Sequence, residues 1–547
     1  MKKVVASTLV LSSMVLVSFS SLFAKSSDAK PKLIVGIVLD QMRWDYLYRF
    51  VHHYGDGGFN RMLNEGFSCE RTYIPFLPTY TAPGHASIYT GSVPAIHGIV
   101  ANDWVDAVTF KKTYCTEDPN VKSVGGGDAG LMSPKNMLTS TFSDELKLAS
   151  NERSKTFGIA IKDRGAILPA GHMADGAYWY DNKNGHFITS DFYRDDLPLW
   201  LQRFNQRNVG DSLMNLNWNL ISPLSSYTQS TADDTPYEGV FKWAESSKFP
   251  HMTSKAVQLK DKGAIQTTPY GNTLITLLAQ ELISHEGLGK GKETDFLAIS
   301  YSSTDYIGHF FGINALEIED TYIRMDKELA QLFNYLDQEI GKGEYTVFLT
   351  ADHGGAHNAQ YLTDRNVPAK AHFIKEWLTD LNAHLETAFG HKKIVNSLMN
   401  YHVHFNESAI KNAKIDRLKL KKEVINWLEK QEGIAVCIDM EEHIPFKGIT
   451  LLKERSKNGY FPQRSGTIQL ILNPGWYSAY ALTGTTHGGW HPYDAHIPLL
   501  FYGKHIPKGK TYKNYYMSDI APTLAALLRI QEPNGSIGEV ILELMEE

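Results

Sequence analysis

Cysteine is scarce in this 547-residue chain: Cys69, Cys115 and Cys437 are all it has. Their spacing matches no zinc-finger pattern. An exported chain has the option of pairing Cys69 with Cys115, which would leave one thiol over, and spacing alone does not decide it. Cys69-Glu70-Arg71-Thr72 also lacks the Cys-x-Pro-x-Arg pattern that sulfatases convert to a formylglycine nucleophile. Positive charge is not concentrated anywhere. Lys and Arg number 54 against 60 Asp and Glu, a formal net charge of −6, which gives no support to binding of nucleic acid or another polyanion. Past the N-terminus there is no apolar run long enough to span a membrane. Internal repeats and low-complexity tracts are missing too.

The one long apolar run comes first. Lys2 and Lys3 precede an apolar stretch through Val17, then small residues with a plausible cleavage point near Ala24. Residues 1–24 therefore read as a secretory signal, too short to be a span. No cysteine lies near the cleavage point, which argues against a lipid anchor. The mature chain is expected to be soluble and exported, periplasmic or secreted, and monomeric.

Roughly 520 residues remain, enough for one large α/β domain with insertions. Hydrophobic residues make up 43% and aromatics 12%, so a sizeable core is available. The run from Lys32 to Asp40 is continuously apolar and ends in a carboxylate, as suits a strand buried on both faces of a parallel sheet. Three more such strands are expected: Thr156–Lys162, Thr294–Ser302 and Glu344–Asp352. Helices are expected over 42–63, 134–149, 270–285, 316–340 and 518–528. A last strand is expected at Ile497–Gly503. Residues 105–135 read as an irregular excursion. From 177 to 268, where a hairpin turns at Asn184-Gly185, and from 358 to 480, the strand–helix alternation gives way to insertions over the sheet edge; the second holds helices near 370–389 and 416–430.

Function in open α/β sheets gathers at the carboxyl ends of strands, and the chain places reactive groups there. Asp40 ends the first strand. Asp305 and His309 follow another at a spacing that puts both on one side of a helical turn. Asp352-His353 is followed by Gly354-Gly355, which permit a sharp turn. His487 lies on a glycine-flanked turn. Each piece alone has an ordinary reading, as a cap, a surface pair or a chance spacing. Together three carboxylates and three imidazoles suit two divalent metals with mixed N/O ligands. His85, His97, His172, His357, His491 and His496 default to structural roles.

Thr81 stands just before Ala82-Pro83, and proline favours the first helical turn. A threonine there is either an N-cap or a hydroxyl at the positive end of a helix, beside amide donors that suit an anion. Gly91 offers the stop. Asn102 follows a further short apolar run. Lys162 and Arg164 leave a buried strand together, which is costly unless they meet an anion; an ion pair with Asp163 is the plain alternative.

In order, these motifs resemble the alkaline phosphatase superfamily over most of the mature chain. Pro78–His85, Ala351–Gly354 and Gly484–Gly488 are similar to its nucleotide pyrophosphatase/phosphodiesterase branch, which uses a threonine nucleophile. Ile161–Arg164 followed by Ala166–His172 is similar to PafA-type bacterial alkaline phosphatases, which are monoesterases. The resemblance implies a three-layer α/β/α sandwich with a mostly parallel central sheet and inserted cap segments, spanning 25–547. It implies two Zn2+ per chain. One would be held by Asp40, Asp352 and His353 with Thr81 as exchangeable ligand, the other by Asp305, His309 and His487. Asn102, Lys162 and Arg164 would contact the nonbridging phosphoryl oxygens. The expected activity is hydrolysis of small phosphate monoesters through a phosphothreonine; a phosphodiesterase on the same frame and a binding protein without catalysis are the alternatives.

Overall fold

Seven consecutive residues, Leu33–Leu39, are fully buried, and they form the strand at the middle of the sheet. Full burial of one such aliphatic side chain is worth about 1.5–3 kcal/mol, so this segment has no stable place except between layers. The computed structural model describes residues 29–106, 109–446, 448–479 and 481–546. The expected signal segment, 1–24, lies outside the described residues.

Leu33–Leu39 pairs in parallel with Tyr345–Thr350 on one side and Asp295–Tyr301 on the other. Thr156–Ala160 and then Gly176–Asp181 extend the parallel stack. Toward the edges pairing turns antiparallel, through Leu499–Gly503 to Phe67–Tyr73 at one side and His186–Ser190 at the other. This is a large α/β sheet, parallel at its centre, with an extensive core reaching from Leu33 to Leu544. The central strands fall within one or two residues of their expected places, because a buried parallel strand is legible as an uninterrupted apolar run.

Helices are less faithfully written. The expected helix over 42–63 is instead a short turn Tyr46–Arg49, a 3₁₀ turn Val51–His53 and a helix Phe59–Glu65. Gly55, Gly57 and Gly58 fall in the break. The one expected from 134 begins only at Phe142, where Thr141 and Asp144 form a reciprocal capping box that fixes the start. The long helix runs Leu316–Leu336 and then widens into a π turn, Asp337–Gly341.

The hairpin around Asn184-Gly185 is present, as Gly176–Asp181 and His186–Ser190. Its first strand pairs in parallel with Thr156–Ala160, so it continues the central sheet rather than lying over its edge. Between 358 and 480, the two expected helices are Ile374–Phe389 and Arg417–Leu428, joined by shorter ones at Ala359–Thr363, Glu407–Ala413 and Thr450–Gly459. They accompany a separate antiparallel sheet in the order Val395–Ser397, His402–Phe405, Ile468–Leu472, Ile434–Asp439. That sheet has its own core, including Trp377, Leu381, Val403, Leu420 and Leu470. All three cysteines are buried free thiols, so Cys69 and Cys115 are unpaired.

Candidate active site

Four adjacent parallel strands deliver their C-terminal ends to one place. Asp40 follows Leu33–Leu39, Asp352 and His353 follow Tyr345–Thr350, Asp305 lies in the helix Ser303–Phe311 after Asp295–Tyr301, and Lys162 follows Thr156–Ala160. The sequence-expected ligands fall into two groups, Asp40–Asp352–His353 and Asp305–His309–His487, with ligand atoms within 4.8 Å of one another in each.

Thr81 is the first residue of the helix Thr81–Thr90, and Tyr80 caps it. The threonine hydroxyl is therefore not spent on capping. Its Oγ1 lies 3.3 Å from His353 Nε2 and 3.4 Å from Lys162 Nζ. Gly84 lets this helix lie against the Asp352-His353 turn, since a Cβ there would stand 2.5 Å from the Asp352 carbonyl oxygen. Asn102 is tied to the same helix start: its Oδ1 accepts the Ala82 N–H at 2.9 Å. The neighbouring Thr79 is turned away, donating to the Gly489 carbonyl at 2.8 Å.

Lys162 does not pair with Asp163. Its ammonium sits 2.6 Å from Asp40 Oδ2 and 2.6 Å from Asp305 Oδ2, reaching one carboxylate of each group. Burial would lower its pKa, but Asp305 and Asp40 hold it above the usual lysine value. Asp163 instead accepts from Tyr114 at 2.6 Å, and Arg164 Nη1 donates to the same Tyr114 hydroxyl at 3.0 Å.

The donor set fits metal cations. All three imidazoles bind a backbone carbonyl through Nδ1: His309 to Thr485, His353 to Gly354 and His487 to Thr79, at 2.8, 2.9 and 2.7 Å. Each thereby turns Nε2 inward, as metal-ligating histidines do. Burial pushes His353 down to about 3 and, with the neighbouring His353 and His309, holds His487 well below its usual value, so both are neutral donors. Burial and the adjacent Asp40 carboxylate push Asp352 well above the usual carboxylate range. Burial would also raise Asp305, but His309 and Lys162 hold it low. Asp40 Oδ1 and Asp352 Oδ2 are buried without a hydrogen-bond partner among the described residues. Buried acceptors left over are costly, and a divalent cation held by these residues would satisfy them.

Of the histidines assigned by default to structure, His97, His172, His357, His491 and His496 hold ordinary side-chain or carbonyl partners. His85 is closer to the site: it bonds the Thr81 carbonyl at 3.0 Å and Ser300 at 2.9 Å, and stands 3.5 Å from Asp352. Its spacing of four from Thr81 was the available signal. Gln41 reaches Asp352 and Asp305, and Tyr114 reaches Arg164, with no motif around them to mark it.

Two candidate metal-ligand groups thus flank a threonine hydroxyl and a buried lysine, and the chain belongs to the type I phosphodiesterase / nucleotide pyrophosphatase family, which matches residues 34–494. It is similar to alkaline phosphatase PhoV of Synechococcus elongatus, 49% identical over 523 residues, 95% of this chain and 94% of that one. It is 43% identical to alkaline phosphatase PafA of Elizabethkingia meningoseptica, covering 97% and 98%. The crystal structure of wild-type PafA matches with a TM-score of 0.91 over 94% of this chain and 99% of that chain. The resemblance carried by the motifs thus holds along nearly the whole chain, and the fold is alkaline-phosphatase-like. A protein of Myroides odoratus named calcium-transporting ATPase is 49% identical with 95% of each chain covered. No helix among the described residues is long and apolar enough to cross a membrane.

Proposed function

We propose that this chain is an exported alkaline phosphatase that hydrolyses small phosphate monoesters through a phosphothreonine on Thr81. The observation that carries the reading is the meeting of the Thr81 hydroxyl and the Lys162 ammonium between two metal-ligand groups. Asp40, Asp352 and His353 would hold one zinc ion and Asp305, His309 and His487 a second. When bound, the pair would make the threonine hydroxyl acidic enough to ionise near neutral pH and would neutralise charge on the departing oxygen. Thr81 Oγ1 gives up its proton and attacks phosphorus in line with the leaving group; a bond from Oγ1 to phosphorus forms as the ester oxygen–phosphorus bond breaks, and the ester oxygen takes up a proton from water and leaves as the alcohol. Water then attacks the same phosphorus, returning the Thr81 hydroxyl and releasing inorganic phosphate. Lys162, Arg164 and the amide NH2 of Asn102 meet the nonbridging oxygens.

The family's description favours a second reading, a phosphodiesterase. Lys162, 3.4 Å from Thr81 Oγ1, and the nearby Arg164, which adds charge felt by Lys162, support the monoester instead, because a monoester dianion offers one more charged nonbridging oxygen than a diester. A binding protein without catalysis would be expected to have lost a candidate ligand or the candidate nucleophile, and this chain keeps a residue of suitable type at each of those positions. The segment with Lys2, Lys3 and the apolar run to Val17 supports export. The test is metal analysis of purified protein alongside a panel of mono-, di- and sulfate esters; diester turnover exceeding monoester turnover overturns the reading.

A further inference from the structure

Gln41 belongs to neither ligand group and touches both. Its backbone N–H donates to Asp352 Oδ1 at 3.1 Å, and its side-chain Nε2 donates to Asp305 Oδ1 at 2.7 Å. It is 3% exposed, and its backbone lies at φ 64, a left-handed conformation that a residue bearing a Cβ holds only when its surroundings enforce it. That conformation is what turns the N–H toward one carboxylate while the side chain reaches the other. Room for the amide comes from two glycines. A Cβ on Gly308 would stand 1.9 Å from Gln41 Oε1, and one on Gly355 would stand 3.2 Å from the same amide. Gly308 directly precedes the ligand His309, and Gly355 follows the Asp352-His353 turn.

The chemistry of the residue suits the place. An amide supplies a neutral N–H, so it orients a carboxylate without neutralising it. A lysine there would compete with a cation for the same oxygen. Asp305 has four partners within 4 Å: Gln41, His309 and His487 about Oδ1, and Lys162 on Oδ2. Of these only Gln41 is neither a candidate ligand nor a cation. Ligating carboxylates are themselves held by hydrogen bonds, and loss of such a partner typically costs ~10–100-fold in metal affinity.

We infer that Gln41 is a positioning residue shared by the two metal groups, its backbone fixing Asp352 for the first and its amide fixing Asp305 for the second. The two halves of that role are separable, because substitution removes the amide and leaves the backbone N–H. The inference rests on the two-metal reading above. Gln41→Met keeps the length, the Cβ and the backbone donor while deleting the side-chain donor. Zinc titration of metal-depleted protein against a chromophoric chelator reads both ions. The parent chain should bind two. Gln41→Met should hold one with unchanged affinity and the other ~10–100-fold more weakly. Adding His487→Ala to Gln41→Met should weaken no further ion, since both act on the same group. Gly308→Ala, which drives the amide off Asp305 without altering Gln41, should give the same pattern and guards against a Met variant that fails to fold. Two ions retained at parental affinity would show that the amide only fills space. Equal weakening of both, with a lowered unfolding temperature of the metal-depleted chain, would assign Gln41 to the fold alone; either result overturns the inference. A parent chain that binds fewer than two zinc ions would sink the two-metal reading itself and Gln41's role with it.

Discussion

The two candidate metal-ligand groups lie side by side and are built differently. Asp40, Asp352 and His353 are each fully buried, and they come from the ends of two neighbouring parallel strands. Asp305 and His309 come from one helical turn, and His487 from a distant glycine-flanked loop; His309 is partly exposed. The first group carries two carboxylates and one imidazole, the second one carboxylate and two imidazoles. The first is a property of the sheet: wherever the central strands form, its ligands are already adjacent. Both groups have a carboxylate held by Gln41 and one held by Lys162, but the imidazoles of the second are aimed by carbonyls from distant segments, Thr79 and Thr485, where His353 uses the adjacent Gly354. Charge and burial concentrate in the first, adjustability in the second.

Stripping both groups should erase their difference and the activity together. Chelation is expected to abolish hydrolysis and added zinc to restore it; full turnover in thoroughly metal-depleted protein would refute both groups as metal sites. Between them stands Thr81. Thr81→Ala should lower monoester turnover by ~10³-fold or more while metal content stays near that of the parent, since six other ligands remain. Acid-trapped phosphate should be found on Thr81. The Thr79 hydroxyl is occupied by Gly489, so phosphate trapped on Thr79 would contradict the geometry.

Lys162 reaches across the boundary between the groups, and Arg164 stands beside it. Removing one preorganised donor typically costs ~10²–10³ in rate. Lys162→Ala combined with Arg164→Ala should lower monoester turnover by at least that order, with a much smaller loss on diesters. Equal losses on the two substrate classes would assign both cations to general electrostatics rather than to the third nonbridging oxygen.

Parts of this comparison were legible in the sequence and parts were not, for physical reasons. Asp40 and Asp352 end runs that bury every residue, Leu33–Leu39 and Tyr345–Thr350. Such runs announce strands, and ligands at strand exits follow from the topology of parallel sheets. Asp305 and His309 were legible as one helical turn. Gln41 was not, because its role depends on a positive φ and on partners 264 and 311 positions away. Tyr114 was not, because it lies in an excursion with no regular period. The hairpin was visible as a hairpin, but its parallel partner, Thr156–Ala160, is not encoded in its own alternation.

The contrast in charge between the groups gives the next test. One further carboxylate at about 4 Å is worth about 4 kcal/mol to a unit charge at an effective dielectric of about 20. Even a fraction of that separates the two affinities by tenfold or more. Graded chelation should therefore release the ions in two steps, the Asp305–His309–His487 ion first. His309→Ala should remove the early step alone. Simultaneous release would mean that burial of the first group cancels its extra charge.

The smallest effect should come from Tyr114, and it separates orientation of Arg164 from mere charge. The Tyr114 hydroxyl donates to Asp163 and accepts from Arg164 Nη1, so one oxygen links the guanidinium to a carboxylate outside the ligand groups. Arg164 Nε is buried without a partner among the described residues, which leaves this contact and the packing around it to set the direction of the guanidinium. Tyr114→Phe keeps the ring in its partly buried place and removes the link. A typical intramolecular hydrogen bond contributes about 0.5–1.5 kcal/mol, so monoester turnover should fall by ~2–10-fold. The diagnostic is the ratio of monoester to diester rates, which should move in the direction that Arg164→Ala moves it, by less. In an Arg164→Ala background, Tyr114→Phe should cost almost nothing further, because the group it orients is gone. A full additional loss in that background would place Tyr114 in the packing of the 105–135 segment and not in the aim of Arg164.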